Sequence, residues 1–370
     1  MPQASRSFRE EILGKVRGDQ VPRIPFATYN LHPFGSHGDD PSYAPLLALG
    51  ERQAGMLVKA DLRRVGGSDG EREWRVENLP GETRTTTVWH TPKGDLRSVT
   101  ATPHGQPSYV VEPFIKSDAD IARVLSVPYT PPQFDSSGVR ALLEQIGTRG
   151  VLYLSYPDPM YAAASLFDYE EFVVRCVTEP ERLQELIDAF AERAAGEVER
   201  LAAASAGLPV LFYTAGPELA TPPMLPPSVF ARFVTPHQKR IIGILHRHGH
   251  LACIHCHGRV RLVLDEILET GADALEPIEP PPQGDISLAE LLERVAGRLC
   301  LMGYVQDQEF YRSRPGEIRR HVAEVAALLN ASSRYVMLPT CTPFQHPASP
   351  AYVAAYTEWI EAAAELLPGG

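Results

Sequence analysis

The 370-residue sequence lacks several features, and each absence narrows what the protein can be. No run of about 18 consecutive apolar residues occurs, so a membrane-spanning helix is not expected. The opening MPQASRSFREEILGKVRGDQ is polar and charged, without the apolar centre of a secretory signal. Cysteine is scarce and odd in number. Its five copies, Cys176, Cys253, Cys256, Cys300 and Cys341, are spread too widely for a disulfide framework and fit a reducing compartment. Positive charge is short too: the net charge is −11 and no dense Lys/Arg patch appears, which argues against nucleic acid or an anionic membrane as a partner. A soluble, cytoplasmic protein is the expectation. With 44% hydrophobic and 22% charged residues, the composition is that of an ordinary globular chain.

What is present falls into two textures. Between about residues 60 and 115, EWRVENLPGETRTTTVWHTPKGDLRSVTATPHG carries short β-branched and aromatic runs broken by PG, KG and HG. That pattern predicts a small antiparallel sheet of hairpins. Elsewhere short apolar runs alternate with stretches of helical periodicity. The runs are VPRIPFATY, GVLYLSYPD, LPVLFYTAG, GHLACIHCHG, GADALEPIEP, LCLMGYV and SRYVMLPTC. EPERLQELIDAFAERAAGEVERLAAA and PGEIRRHVAEVAALLN are two of the helical stretches between them. Repeated strand–helix alternation means a parallel sheet covered by helices. NLHPFGSHGDD follows the first run, and it is not the Gly-rich turn of a dinucleotide-binding open sheet. The expected fold is therefore α/β, a (β/α)8 TIM barrel in a single domain over residues 1–370, with an N-terminal β-hairpin insertion at about 60–115.

In such a barrel, chemistry belongs at the C-terminal strand ends. Those ends hold Tyr29 and Asn30, Tyr156 and Asp158, Glu218, His255 and His257, Glu276 and Glu279, Gln306 and Asp307, and Cys341. His255 and His257, two apart on a strand, point to one face, while Cys256 points the other way. They are either a zinc-competent ligand pair joined by Cys341 or a polar rim above the core. Glu218 is a fourth ligand, a general base, or a solvated loop carboxylate. Glu276 or Glu279 would orient a metal-bound imidazole through its second nitrogen; otherwise they form an acidic lip. His246, His248 and His250 close a helix before a glycine, where the dipole suits them, and are expected to be structural.

The ordered motifs resemble the uroporphyrinogen decarboxylase superfamily. The likeness runs from EEILGKVRGDQVPRIPF through TPKGDLRS, EPFIKSDADIARVL and PPSVFARFVTPHQKRI. It continues through GHLACIHCHGRVRLVLDEILETGADALEPIEP and GDISLAELLERVAGRLCLMGYV to YVMLPTCTPFQHPASPAYVAAYTEW. True uroporphyrinogen decarboxylases need no metal and grip substrate propionates with an N-terminal arginine cluster, for which this chain offers only Arg23. The corrinoid-linked branch, similar to methylcobamide:coenzyme M methyltransferases, carries a His-x-Cys-Gly motif and a late cysteine. Here the motif reads His255-Cys256-His257-Gly258, with Cys341 as the late cysteine, so His257 stands where that branch has cysteine.

The resemblance implies zinc on His255, His257 and Cys341, with Glu218 as a further ligand. It implies methyl transfer to a small thiol from a methylcorrinoid, held by a separate corrinoid protein, or from another activated methyl donor; Glu218 or Glu276 is then expected as the catalytic carboxylate, relaying a proton or supporting the ligands. Two other readings stand beside it. One is a metal-free decarboxylase or lyase acting on an acidic substrate, with Arg23, His32 and Arg259 as its basic groups. The other is a non-catalytic metal- or corrinoid-binding partner. The chain is expected to be a monomer or a homodimer.

Overall fold

The computed structural model describes residues 6–369. Eight parallel strands close into a barrel: β1 (Ala27–Tyr29), β2 (Gly55–Ala60), then, after an insertion, β9 (Gly150–Ser155), β10 (Val210–Ala215), β11 (Leu251–His255), β12 (Ala274–Ile278), β13 (Cys300–Val305) and β14 (Tyr335–Pro339). The sheet follows chain order throughout. It closes where β14 returns to β1, through a parallel bridge between Phe26 and Met337 and the Met337 N–H donated to the Pro25 carbonyl at 3.0 Å. The insertion holds β3 (Arg63–Val65), β4 (Glu71–Leu79), β5 (Glu82–His90), β6 (Leu96–Pro103), β7 (Tyr109–Glu112) and β8 (Gln133–Asp135). Strands β4 to β7 form the expected antiparallel sheet, while β3 pairs with β8 as a separate ribbon. Trp89 roots the sheet in the body of the protein. It is almost wholly buried, donates its indole N–H to the Asp69 carbonyl at 2.9 Å and meets Phe114 edge on.

Each barrel strand is buried on both faces, which is why the sequence shows continuous apolar runs rather than alternation. One face packs against the surrounding helices. The other fills the interior with Ala27, Leu57, Val151, Leu211, Cys253 and their neighbours. The helix Phe8–Arg17 belongs to that inner cluster through Ile12, Leu13 and Val16, so it plugs the N-terminal end of the barrel. Ser7 and Glu10 cap its start reciprocally, and Gly18 at φ 89° ends it. Lys15 of the same helix is buried, its ammonium satisfied by the Val21 and Ala331 carbonyls.

Seven of the eight strands lie within the apolar runs marked in the sequence. The eighth, β2, does not. Its GMLVKA offers only four buried residues before Lys59, and it lies directly before the hairpin texture. Among the described residues, no helix is long and apolar enough to cross a membrane.

Candidate active site at the barrel mouth

Strands β11 and β12 run in register, with His255 opposite Glu276. Glu276 has no exposed surface. Its Oε2 accepts the His255 Nδ1–H at 2.6 Å, the Tyr153 hydroxyl at 3.1 Å and the Tyr29 hydroxyl at 3.4 Å. Its Oε1 has no partner among the described residues. The strand ends at His255. Cys256 turns outward into the helix-facing core, and His257 follows, half-buried. The His257 Nδ1 lies 3.3 Å from Glu279 Oε1. That glutamate also accepts the Gly258 N–H at 2.7 Å and the Gln306 amide at 3.3 Å. Burial disfavours the His257 cation, but the Glu279 carboxylate outweighs burial and holds the ring above its ordinary value. The same partnership holds Glu279 below the usual carboxylate range against its own burial. The two imidazoles meet edge to face with centroids 4.8 Å apart. Each thus turns Nδ1 toward its own glutamate, and among the described residues neither Nε2 has a hydrogen-bond partner.

The other sequence-marked residues are placed less centrally. Glu218 sits in the turn Pro217–Ala220 after β10, half-buried, and its Oε2 accepts the Gly216 N–H at 2.9 Å. Cys341 lies two residues past β14 and is the exposed cysteine of the five; the other four are buried. Partial burial of its sulfur and then the Asp307 carboxylate raise its thiol pKa, while Lys59 pulls the other way. Among the described residues, no three His, Cys, Asp or Glu side chains are gathered as a ready metal site, so His255, His257, Cys341 and Glu218 are not assembled as one cluster. His246 and His248 pair with Asp273 and Glu199, and His250 meets the Ala202 carbonyl, all structural as expected. Arg23 lies before β1, at the plugged end, paired with Glu11 at 2.6 Å. His32 is buried, and burial lowers its pKa. Arg259 is exposed.

Two aspartates at the strand ends carry protons at unusual pH. Asp158 is buried; burial, aided by the Glu218 charge, pushes its carboxyl up to about 7 against hydrogen bonds from the Tyr161 N–H at 2.7 Å and Gln238 Nε2 at 2.6 Å. Gly216, at φ 150°, is required beside it, because a Cβ there would lie 2.5 Å from Asp158 Oδ1. Burial likewise pushes Asp307 up to about 6, although the Tyr352 hydroxyl donates to it at 3.0 Å.

The folded state keeps the Asp158 proton up to about pH 7, whereas an unfolded aspartate loses it near 3.8. Its contribution to stability is therefore complete below that lower value and is lost as pH rises to about 7. In Asp158→Asn the Gln238 amide can turn over to accept from the new NH2, with Tyr156 as its other partner. The wild type should lose stability relative to this variant between pH 5 and 8, by roughly 1–3 kcal/mol. Urea unfolding at the two pH values measures the change, and parallel curves would refute it.

Sequence reasoning missed three groups here. Tyr153 stacks on Tyr213 at 4.0 Å, and Tyr213 stands 6.2 Å from His255. The Lys59 ammonium lies over the rings of Tyr29, at 4.9 Å, and Tyr213, at 5.6 Å. The period of two that puts Leu57 inside the barrel puts Lys59 on the same face, a signal available only once β2 is recognised.

Among solved structures, the chain is similar to a methyltransferase from Methanosarcina mazei. The identity is 12%, with 97% of this chain and 98% of the other covered, at a TM-score of 0.60. A sugar phosphate isomerase/epimerase from Parabacteroides distasonis matches at 13% identity, covering 64% of this chain and 78% of its own, at a TM-score of 0.38. No curated protein matches by sequence. The sequence profile described as uroporphyrinogen decarboxylase (URO-D) matches residues 99–362, from the sixth strand to within the last helix and so through His255, Glu276 and Cys341. On that match, and on the closed barrel that carries it, the chain belongs to the uroporphyrinogen decarboxylase family.

Proposed function

We propose that the protein moves a methyl group from a methylcorrinoid, carried by a separate protein, to a small thiol at the barrel mouth, with zinc held by His255, His257 and Cys341. The observation that carries this reading is the pair of adjacent imidazoles, each turning Nδ1 toward its own glutamate and leaving Nε2 without a partner among the described residues. Metal-binding histidines are usually held in this way, and imidazole with thiolate suits zinc. The residues fit the ion in donor type. Cys341 must close on the histidines to complete three ligands, which leaves Glu218 free to act as a base. Zinc there supplies Lewis acidity that lowers the pKa of a thiol acceptor.

The chain's own groups do the rest. Glu276 and Glu279 hold the rings in orientation, and Tyr29 and Tyr153 hold Glu276. Glu218, half-exposed at the mouth, takes up the thiol proton. The activity named for the Methanosarcina mazei neighbour is of the same kind. To test the proposal, bound metal is measured in untagged protein, and methylcobalamin absorbance is followed with and without a thiol. About one zinc per chain and a thiol-dependent decay are expected. A chain that takes up no zinc even on reconstitution would sink the proposal.

The second reading, metal-free decarboxylation of an acidic substrate, is favoured by Asp158 and Asp307, whose carboxyls keep a transferable proton up to about pH 7 and 6. Arg23 cannot serve that reading, because it lies at the opposite end of the barrel from the mouth.

A further inference from the structure

The inserted sheet has two unlike faces. Directly paired residues of an antiparallel sheet share a face, so its composition can be followed across the four strands. Val76, Thr85, Thr100 and Val110 pair in one row, and Trp74 and Thr87 in the row nearer the barrel. The outermost row holds Asn78, Thr83 and Thr102. None of these side chains is charged. The opposite face carries Glu73, Arg75, Glu77, Arg84 and Arg97. The uncharged face is also open: Trp74 is 67% exposed, Val76 59% and Val110 46%. At its root the same face is covered by the body of the protein, where Trp89 and Leu96 are buried.

We propose that this face is the interface between two copies of the chain, stacked sheet on sheet about a two-fold axis. Electrostatics favours a second copy as the occupant. Each copy carries a net charge of −11, so most faces of two copies repel; in the three exposed rows no charged side chain has to be desolvated, and Arg72, at the root of the same face, is held by Asp69. The face suits itself in shape as well. Sheets stack about 10 Å apart through short side chains, and threonines between two apolar edges leave a flat surface in which Trp74 is the large anchor. At ordinary strand spacing the exposed rows measure about 20 Å by 20 Å, roughly 400 Å² on each copy, which is the size of a transient contact, so a weak dimer that forms only at high micromolar concentration is expected. The inference does not depend on the reaction proposed above.

The test is sedimentation equilibrium of the full chain from about 1 to 200 µM, the range in which such a contact should form. The wild type should pass from the mass of one chain toward that of two. Val76→Glu and Thr85→Arg should each stay at one chain throughout, because each puts like charge against like at the axis. Both sites are solvent-accessible, and unchanged melting temperatures would show that the variants fold. Glu73→Arg, on the charged face, should dimerise as the wild type does. A wild type that keeps the mass of one chain at every concentration overturns the proposal, as it would if the face docked a different protein. Dimers that survive both Val76→Glu and Thr85→Arg overturn it equally.

Discussion

His257→Ala should lose its bound zinc and about 10³-fold or more in kcat/KM for thiol methylation. His257 is one of the two adjacent imidazoles of the β11 end, and its ring stands 4.8 Å from the other. Removing it leaves a single oriented nitrogen beside a cysteine that is not yet in place. Lewis-acid activation is worth several kcal/mol, and about 4 kcal/mol is a 10³-fold change in rate. His257→Cys restores the residue type of the corrinoid-linked branch and should keep the metal. Metal content and methylcobalamin decay, measured on the same preparations, decide the matter. Full zinc in the alanine variant would remove His257 from the ligand set, and full activity without zinc would remove zinc from the reaction.

The second large effect is on stability. Glu276→Ala should cost about 3–5 kcal/mol, because each buried donor left without its acceptor costs about 1–3 kcal/mol. Three donors, from Tyr29, Tyr153 and His255, converge on one oxygen of a side chain with no exposed surface, and alanine leaves all three without an acceptor. Glu276→Gln keeps an oxygen for them but points its NH2 at the position of Oε1, where nothing accepts. It should cost less, about 1–3 kcal/mol. Urea unfolding ranks the two. An alanine variant within about 1 kcal/mol of wild type would show that the three donors find other partners or water.

Most of the barrel is legible in the sequence because a strand buried on both faces writes a continuous apolar run with a polar terminus. Strand β2 escaped because its run is short and ends on Lys59, a charge that looks like surface until the neighbouring strands show it facing the mouth. The insertion was read from β-branched and aromatic runs and the turn residues between them, and the pairing of Arg63–Val65 with Gln133–Asp135 lay beyond local pattern, since it joins segments about 70 residues apart. At the site, period-two spacing placed His255 and His257 on one side. The strand in fact stops at His255, yet the rings remain neighbours. Spacing could not say which glutamate each histidine takes, because that depends on the register of β11 with β12. Nor could it say how far Cys341 lies from the pair, since a loop sets that distance.

The plug formed by Ile12, Leu13 and Val16 gives the barrel only one door. In the proposed reaction, donor, acceptor and product would have to queue at the same opening, and a macromolecule resting on the mouth would cork everything beneath it. A small acceptor has to be seated before a large donor docks, and its product can leave only after that donor has gone. Turnover in that reaction would be paced by arrivals and departures at the mouth, and an excess of the large partner would slow it by trapping the mouth shut.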